Sequence, residues 1–230
     1  MARGAFGIRR VGHGGTLDPQ ASGLLPLLVG SATKFADRLH EAGKVYDALV
    51  RFGTETATDD REGAVTREAA VPDLSSPAVD VALATFRGAI EQVPPQYAAL
   101  KVAGRTAYSR ARSGETVELA ARRVQVHRLD VVGRTETELR LLVVCSSGTY
   151  IRALARDLGR ALGSAAHLAG LRRIAVGALE VEGAVTPQAL RARSSDAIAK
   201  LRPATDDVLV LSERFVRLPA GTIVGAGESS

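Results

Sequence analysis

A single mixed domain, with strands and helices interspersed along the chain, is what this sequence predicts. Three observations carry that prediction. Residues 44–52 alternate like a strand, with Tyr46, Ala48, Val50 and Phe52 on one face. Residues 151–162 place Ile151, Leu154, Ala155, Leu158 and Leu162 at helical spacing, an apolar stripe suited to burial. A length of 230 residues, 46% of them hydrophobic, suits one large domain with at most a small appendage.

Taken in order, Met1 to Arg10 is short and basic. A glycine-rich stretch follows, Gly12-His13-Gly14-Gly15-Thr16-Leu17-Asp18-Pro19. Glycines let backbone approach a ligand closely, and proline stiffens the exit from the turn. The stretch delivers one carboxylate, Asp18, which suits chemistry and equally suits a structural turn, since aspartate often caps turns. Gly23 to Gly30 reads as a short buried strand. Ser31 is placed to N-cap a helix running to about Ala42, which Gly43 ends. After the strand at 44–52, Gly53 to Asp60 reads as a polar loop. A helix is expected over 78–86, strands over 117–132 and 138–145, and a short helix from Thr186-Pro187. Val208 to Leu211 has strand character. Cys145 closes an apolar strand and reads as a small buried residue without chemistry.

Net charge is +5, with an isoelectric point near 9.8, and the basic residues are nearly all arginine. Such a balance favours a polyanionic partner, although arginine also serves as a plain solvated surface residue. Placement favours nucleic acid. Lys101, Arg105, Arg110 and Arg112 interleave with Tyr97 and Tyr108, a pattern that grips phosphates and offers faces for base stacking. The competing reading is a solvated charged helix. One cysteine allows no internal disulfide, no apolar run is long enough to span a membrane, and no signal-peptide pattern opens the chain. The cytoplasm is the expected compartment. No metal-ligand spacing, P-loop or dinucleotide fingerprint is present in the sequence.

The stretch from Gly12 to Leu25, followed by Gly30-Ser31-Ala32-Thr33-Lys34, resembles the signature of the TruB family of tRNA pseudouridine synthases. Lys44-x-Tyr46 with Gly53, Thr56, Thr58, Asp59 and Gly63 is similar to its second block. Phe86-Arg87-Gly88 through Lys101, Ser146 to Gly159, and Gly163 to Gly177 resemble later blocks, so the likeness extends from Arg10 to about Val185. It implies an α+β pseudouridine synthase fold with a mixed sheet flanked by helices and loops. The catalytic domain would span 1–203, with an RNA-gripping insertion at about 94–123. Residues 204–230 would be the remnant or start of a C-terminal RNA-binding domain. The implied activity is isomerisation of uridine-55 in the T-loop of tRNA, with no cofactor and no metal, and a monomer is expected.

The same resemblance assigns roles. Asp18 would be the nucleophile, Arg152 its partner, and Tyr46, Tyr150 and Leu171 the walls around the target base. His13 would pack against the RNA, or be purely structural within its glycine turn. Lys101, Arg105 and Arg110 would bind RNA. Taken without the family, Tyr46 reads as a core aromatic of its strand. Two other classes compete. One is an RNA-binding or tRNA-folding protein on this scaffold with little turnover, and the other is a basic structural module. Family members usually carry a Lys-Pro pair and a strand ahead of the signature, and nothing between Met1 and Arg10 matches them. Met1 is therefore expected to be a truncated or misassigned start, and a version extended upstream to be more soluble, more stable and faster.

Overall fold

The computed structural model describes residues 2–98, 100–102, 105–106, 110 and 117–192. The strand expected at 208–211 and the whole 204–230 segment lie outside them. So does much of the 94–123 insertion, Tyr108 and Arg112 included. In chain order the helices are α1 (Ala2–Phe6), α2 (Ala36–Glu41), α3 (Ala78–Thr85), α4 (Ile151–Ala161) and α5 (Pro187–Arg191). The strands are β1 (Val11–His13), β2 (Ser22–Gly23), β3 (Leu27–Val29), β4 (Lys44–Phe52), β5 (Thr54–Thr56), β6 (Val65–Glu68) and β7 (Gly88–Gln92). They continue with β8 (Lys101–Val102), β9 (Arg105–Thr106), β10 (Arg122–Arg134), β11 (Glu138–Cys145), β12 (Ala166–Val176) and β13 (Leu179–Glu180). The chain divides into two compact units, one made of 2–46 with 172–192 and the other of 47–171.

In the first unit, β1 pairs antiparallel with β3 from Val11↔Val29 to His13↔Leu27. The end of β12 pairs antiparallel with β13 and parallel with β2. Leu24, Leu28, Leu39 and Val176 form its buried centre. Two expectations change here. The continuous buried strand over Gly23 to Gly30 is instead β2 and β3 separated by a bend, with Leu25 and Leu27 about 40% exposed. Pro26 has no N–H to give a ladder, so the strand stops on either side of it. The helix expected from Ser31 begins as a 3-10 turn over Gly30–Phe35, capped at neither Val29 nor Ser31, and becomes α-helical only at Ala36. Thr33 Oγ1 donates to Gly30 O at 2.9 Å and favours the tighter turn. At the other end of α2, buried Lys44 Nζ donates to the carbonyls of Leu39, His40 and Ala42, replacing partners a helix terminus lacks.

The second unit carries the sheet path β12–β4–β11–β10–β7. Strand β11 is its most buried member: Leu139, Val143, Val144 and Cys145 are fully inaccessible. Full burial of each such aliphatic side chain stabilises by about 1.5–3 kcal/mol. Helix α4 matches its expected span, with Ile151, Leu154, Ala155 and Leu158 buried. The same helix also buries Arg152 and Arg156, which periodicity does not anticipate. Helices α3 and α5 fall where expected, and Thr186 Oγ1 caps α5 by accepting from Ala189 N at 3.1 Å. Among the described residues no helix is long and apolar enough to cross a membrane.

The polar loop expected at 53–60 is partly a strand. β5 pairs with β6, with Glu55 opposite Arg67. Glu55 is buried because it has two cationic partners: Arg160 Nη2 reaches its Oε2 at 2.8 Å and Arg67 Nη2 its Oε1 at 2.6 Å. The hydrogen bonds from Arg160, then those from Arg67, outweigh burial and hold the carboxyl at about 2 instead of 4.5. A lowered native value means this stabilisation is complete above about pH 4.5 and is lost as pH falls towards 2. Both arginines are about half exposed, so solvent screens the pair. Glu55→Gln is therefore expected to lower stability at pH 7 by about 1–2 kcal/mol. Denaturant titrations at descending pH should show wild type and variant converging below pH 4.5; a constant gap would contradict the pairing.

Candidate active site

The turn bearing Asp18 belongs to the first unit, and backbone bonds define its path. Gly14 N donates to Pro26 O at 2.9 Å, and a Cβ at Gly14 would sit 2.9 Å from Leu39 Cβ, so the loop lies flat on α2. His40 Nε2 donates to His13 O at 3.2 Å, with the two rings 6.2 Å apart and the His13 side chain exposed. Ala21 N donates to Asp18 O at 2.9 Å, closing a four-residue turn with Pro19 second, the position where its fixed φ fits. Asp18 itself is half-buried. Tyr46, also half-buried, sits on β4.

Arg173 lies behind this turn, only 1% exposed. Its Nη2 donates to Gly15 O at 3.0 Å, its Nη1 to Thr16 O at 3.3 Å and its Nε to Leu24 O at 2.9 Å. The backbone of the same residue accepts from Leu24 N at 2.8 Å and pairs with Gly23. Gly23 has φ +100°, and a Cβ there would overlap the Arg173 carbonyl, so only glycine fits. The residue type of Arg173 is visible in the sequence; its place on β12, a strand the sequence reading did not mark, and its carbonyl partners are not.

Tyr150, Arg152 and Leu171 belong to the second unit. Tyr150 is the residue before α4, and its backbone is clamped by buried Gln92: Gln92 Nε2 donates to Tyr150 O at 3.0 Å, and Tyr150 N donates to Gln92 Oε1 at 2.8 Å. Arg152, 5% exposed, donates through Nη1 to Thr58 O at 3.0 Å and through Nη2 to Tyr97 O at 3.1 Å. The Asp60 carboxylate stands 3.7 Å from Nη1. Asp60 is in turn fixed by Thr58 Oγ1 at 2.6 Å and Glu62 N at 3.0 Å. One turn further along α4, Arg156 Nη1 donates to Asp59 Oδ2 at 2.8 Å and Nη2 to Val93 O at 2.9 Å. Burial raises the Asp59 carboxyl above its ordinary value, with Arg156 opposing the rise. Asp59 adopts φ +58°, a left-handed conformation that aspartate tolerates better than most residues. Leu171 is half-buried on β12.

Asp60, Gln92 and the Asp59–Arg156 pair are residues to which the sequence reading gave no role, although Asp59, Gln92 and Arg156 stand within the blocks that resemble the family. A faint signal for them was two adjacent carboxylates in a short turn followed by arginines spaced one helical turn apart. Of the expected RNA-binding residues, Lys101 and Arg105 lie on β8 and β9, which pair as Lys101↔Thr106 and Val102↔Arg105. Their side chains lie outside the described residues, and Arg110 is half-buried. Among the described residues, no three His, Cys, Asp or Glu side chains gather as a metal ion would require.

Comparison with known proteins adds a sequence context to this geometry. A family described as TruB family pseudouridylate synthase (N terminal domain) matches residues 3–151. The tRNA pseudouridylate synthase B C-terminal domain matches 152–210. A protein named tRNA pseudouridine synthase B from Cupriavidus pinatubonensis is 48% identical over 203 residues, covering 87% of this chain and 64% of the relative. One of the same name from Cupriavidus metallidurans is 50% identical over 190 residues, covering 82% and 60%. The chain thus spans somewhat under two thirds of these relatives' length. Among solved structures, a Cbf5-Nop10-Gar1 complex contains a chain with TM-score 0.61 and 29% identity, covering 81% of this chain and 46% of that one. An H/ACA RNP bound to a substrate RNA containing 2'-deoxyuridine shares the fold at TM-score 0.61 and 22% identity, covering 93% and 54%.

Proposed function

Since the chain belongs to the TruB family of pseudouridylate synthases, we propose that it isomerises uridine to pseudouridine in the T-loop of tRNA, at uridine-55. The observation that carries this reading is Asp18, held on a closed turn within the family's signature stretch. The reaction breaks the N1–C1′ bond, turns the base, joins C5 to C1′ and moves the C5 proton away while N1 gains one. Nothing is added or lost, so the residues need only bind, activate and hold. Asp18 acts as the ionised nucleophile, because a protonated carboxyl is a poor one. Arg152 pairs with it during the reaction and favours its charged form.

Taking the base out of its stack costs a few kcal/mol. Tyr46, Tyr150 and Leu171 offset part of that by enclosing the base, and His13, exposed beside the turn, packs against the RNA. The partner is the T-arm, the enzyme works as a monomer without cofactor or metal, and its compartment is the cytoplasm. Pseudouridine formation on a T-arm stem-loop is the deciding experiment. Tight binding without product would favour an RNA-folding role on the same scaffold. Equal binding to unrelated RNA would favour a basic structural module.

Affinity for the stem-loop is expected to fall steeply with salt, because phosphate contacts release counterions. Neutralising Lys101, Arg105 or Arg110 singly should make the log–log slope shallower by roughly 0.7–0.9 each. Unchanged slopes in all three variants would place the RNA path elsewhere.

A further inference from the structure

We propose that Arg173 is the positioning residue for Asp18, pinning the nucleophile's turn from beneath through three backbone carbonyls. The inference rests on Asp18 being the nucleophile. Burying a guanidinium is costly unless its donors are satisfied, and packing alone would be better served by an aliphatic side chain. Among the described residues the acceptors of Arg173 are the carbonyls of Gly15, Thr16 and Leu24. Those carbonyls bracket Asp18 on both sides in the chain. A planar fork that donates to three of them in fixed directions sets both the position and the roll of the loop, which a single ammonium cannot do.

Arg173 is itself anchored by its backbone. Its carbonyl accepts from Leu24 N, its backbone pairs with Gly23, and its neighbours Ile174, Ala175 and Val176 are buried. Side chain and main chain of one residue therefore hold one loop from two directions. Two further tethers among the described residues are single bonds, from exposed His40 Nε2 to His13 O and from Gly14 N to Pro26 O. A displacement of about 1 Å in a reacting group can cost about a hundredfold in rate. Loss of the fork would be felt at Asp18 without any change in what the RNA touches.

The test is Arg173→Lys in the full chain, compared with wild type on a T-arm stem-loop. The expected outcome is a kcat about a hundredfold lower with KM and RNA affinity nearly unchanged. Hydrogen exchange of the free protein should show the Gly14 and Ala21 amides about tenfold less protected, while Val45 and Leu158 keep their protection. A kcat within about threefold of wild type would overturn the proposal. So would loss of protection spread evenly over all four amides, the sign of a merely structural role. Should the lysine variant fail to fold, the wild-type protein decides. Arg173 Nη protons should be resolved and slow to exchange, with couplings across hydrogen bonds to the Gly15 and Thr16 carbonyl carbons. Averaged, fast-exchanging signals would overturn the assignment. A wild-type protein that binds the stem-loop but makes no pseudouridine would defeat the proposed function, and the exchange and coupling measurements would still decide whether Arg173 holds the turn.

Discussion

Asp18→Asn should lose turnover by about a thousandfold or more while still binding the T-arm, the scale seen when the acting group of a catalytic unit is removed. Asparagine keeps the size and polarity of the side chain, and the turn is closed by a backbone bond from Ala21 N to the residue 18 carbonyl that the substitution leaves alone. What disappears is the negative charge, and a neutral amide cannot act as the nucleophile. Melting temperature and stem-loop affinity serve as controls for fold and binding. Product formation within about tenfold of wild type would remove Asp18 from the chemistry, because side-chain charge is the one property changed.

Arg152→Lys should be the second most damaging change, lowering turnover by about a hundredfold. The substitution keeps the charge, so a simple electrostatic role would survive it. Arg152 is 5% exposed and divides its donors between Thr58 O and Tyr97 O, with Asp60 3.7 Å away. A lysine ammonium has no fork and cannot serve those directions together. A carbonyl or carboxylate left unsatisfied in that interior costs about 1–3 kcal/mol, so a drop in stability should accompany the loss of rate. Stability loss with near-normal kcat would make Arg152 a structural residue and argue against its pairing with Asp18.

The contrast between these arginines and the periodic elements marks what the sequence discloses. β4, β11, α3 and α4 are legible because burial of one face or both leaves a repeat of two, a helical stripe, or an unbroken apolar run. The Asp18 turn is legible because glycine and proline have restricted uses. β5 is not: Thr54-Glu55-Thr56 reads as polar loop, and its burial depends on Arg67 and Arg160, the second of which is distant in sequence. Pro26 is visible, yet its interruption of an apolar run was outweighed by the leucines around it, two of which prove substantially exposed. The hardest class to foresee is a side chain bonded to main-chain carbonyls. Every residue carries one, so no residue type announces that Gly15, Thr16 and Leu24 are acceptors for Arg173, or Thr58 and Tyr97 for Arg152.

The division of the chain also has a consequence for its birth on the ribosome. The unit that holds Asp18 takes one segment from ahead of residue 47 and is completed only by residues after 171, with the uninterrupted segment 47–171 made in between. Thr16 and Arg173 are 157 positions apart. At about 5–20 residues per second, translation takes roughly 8–30 s to cover that span. For all that time the emerging Asp18 turn lacks the guanidinium that bonds its carbonyls, whereas 47–171 is available to fold as soon as it clears the exit. The order of manufacture thus inverts the order of assembly: the turn made before 47–171 is secured after it, and a chain stalled before Arg173 would display Asp18 on a turn without its guanidinium.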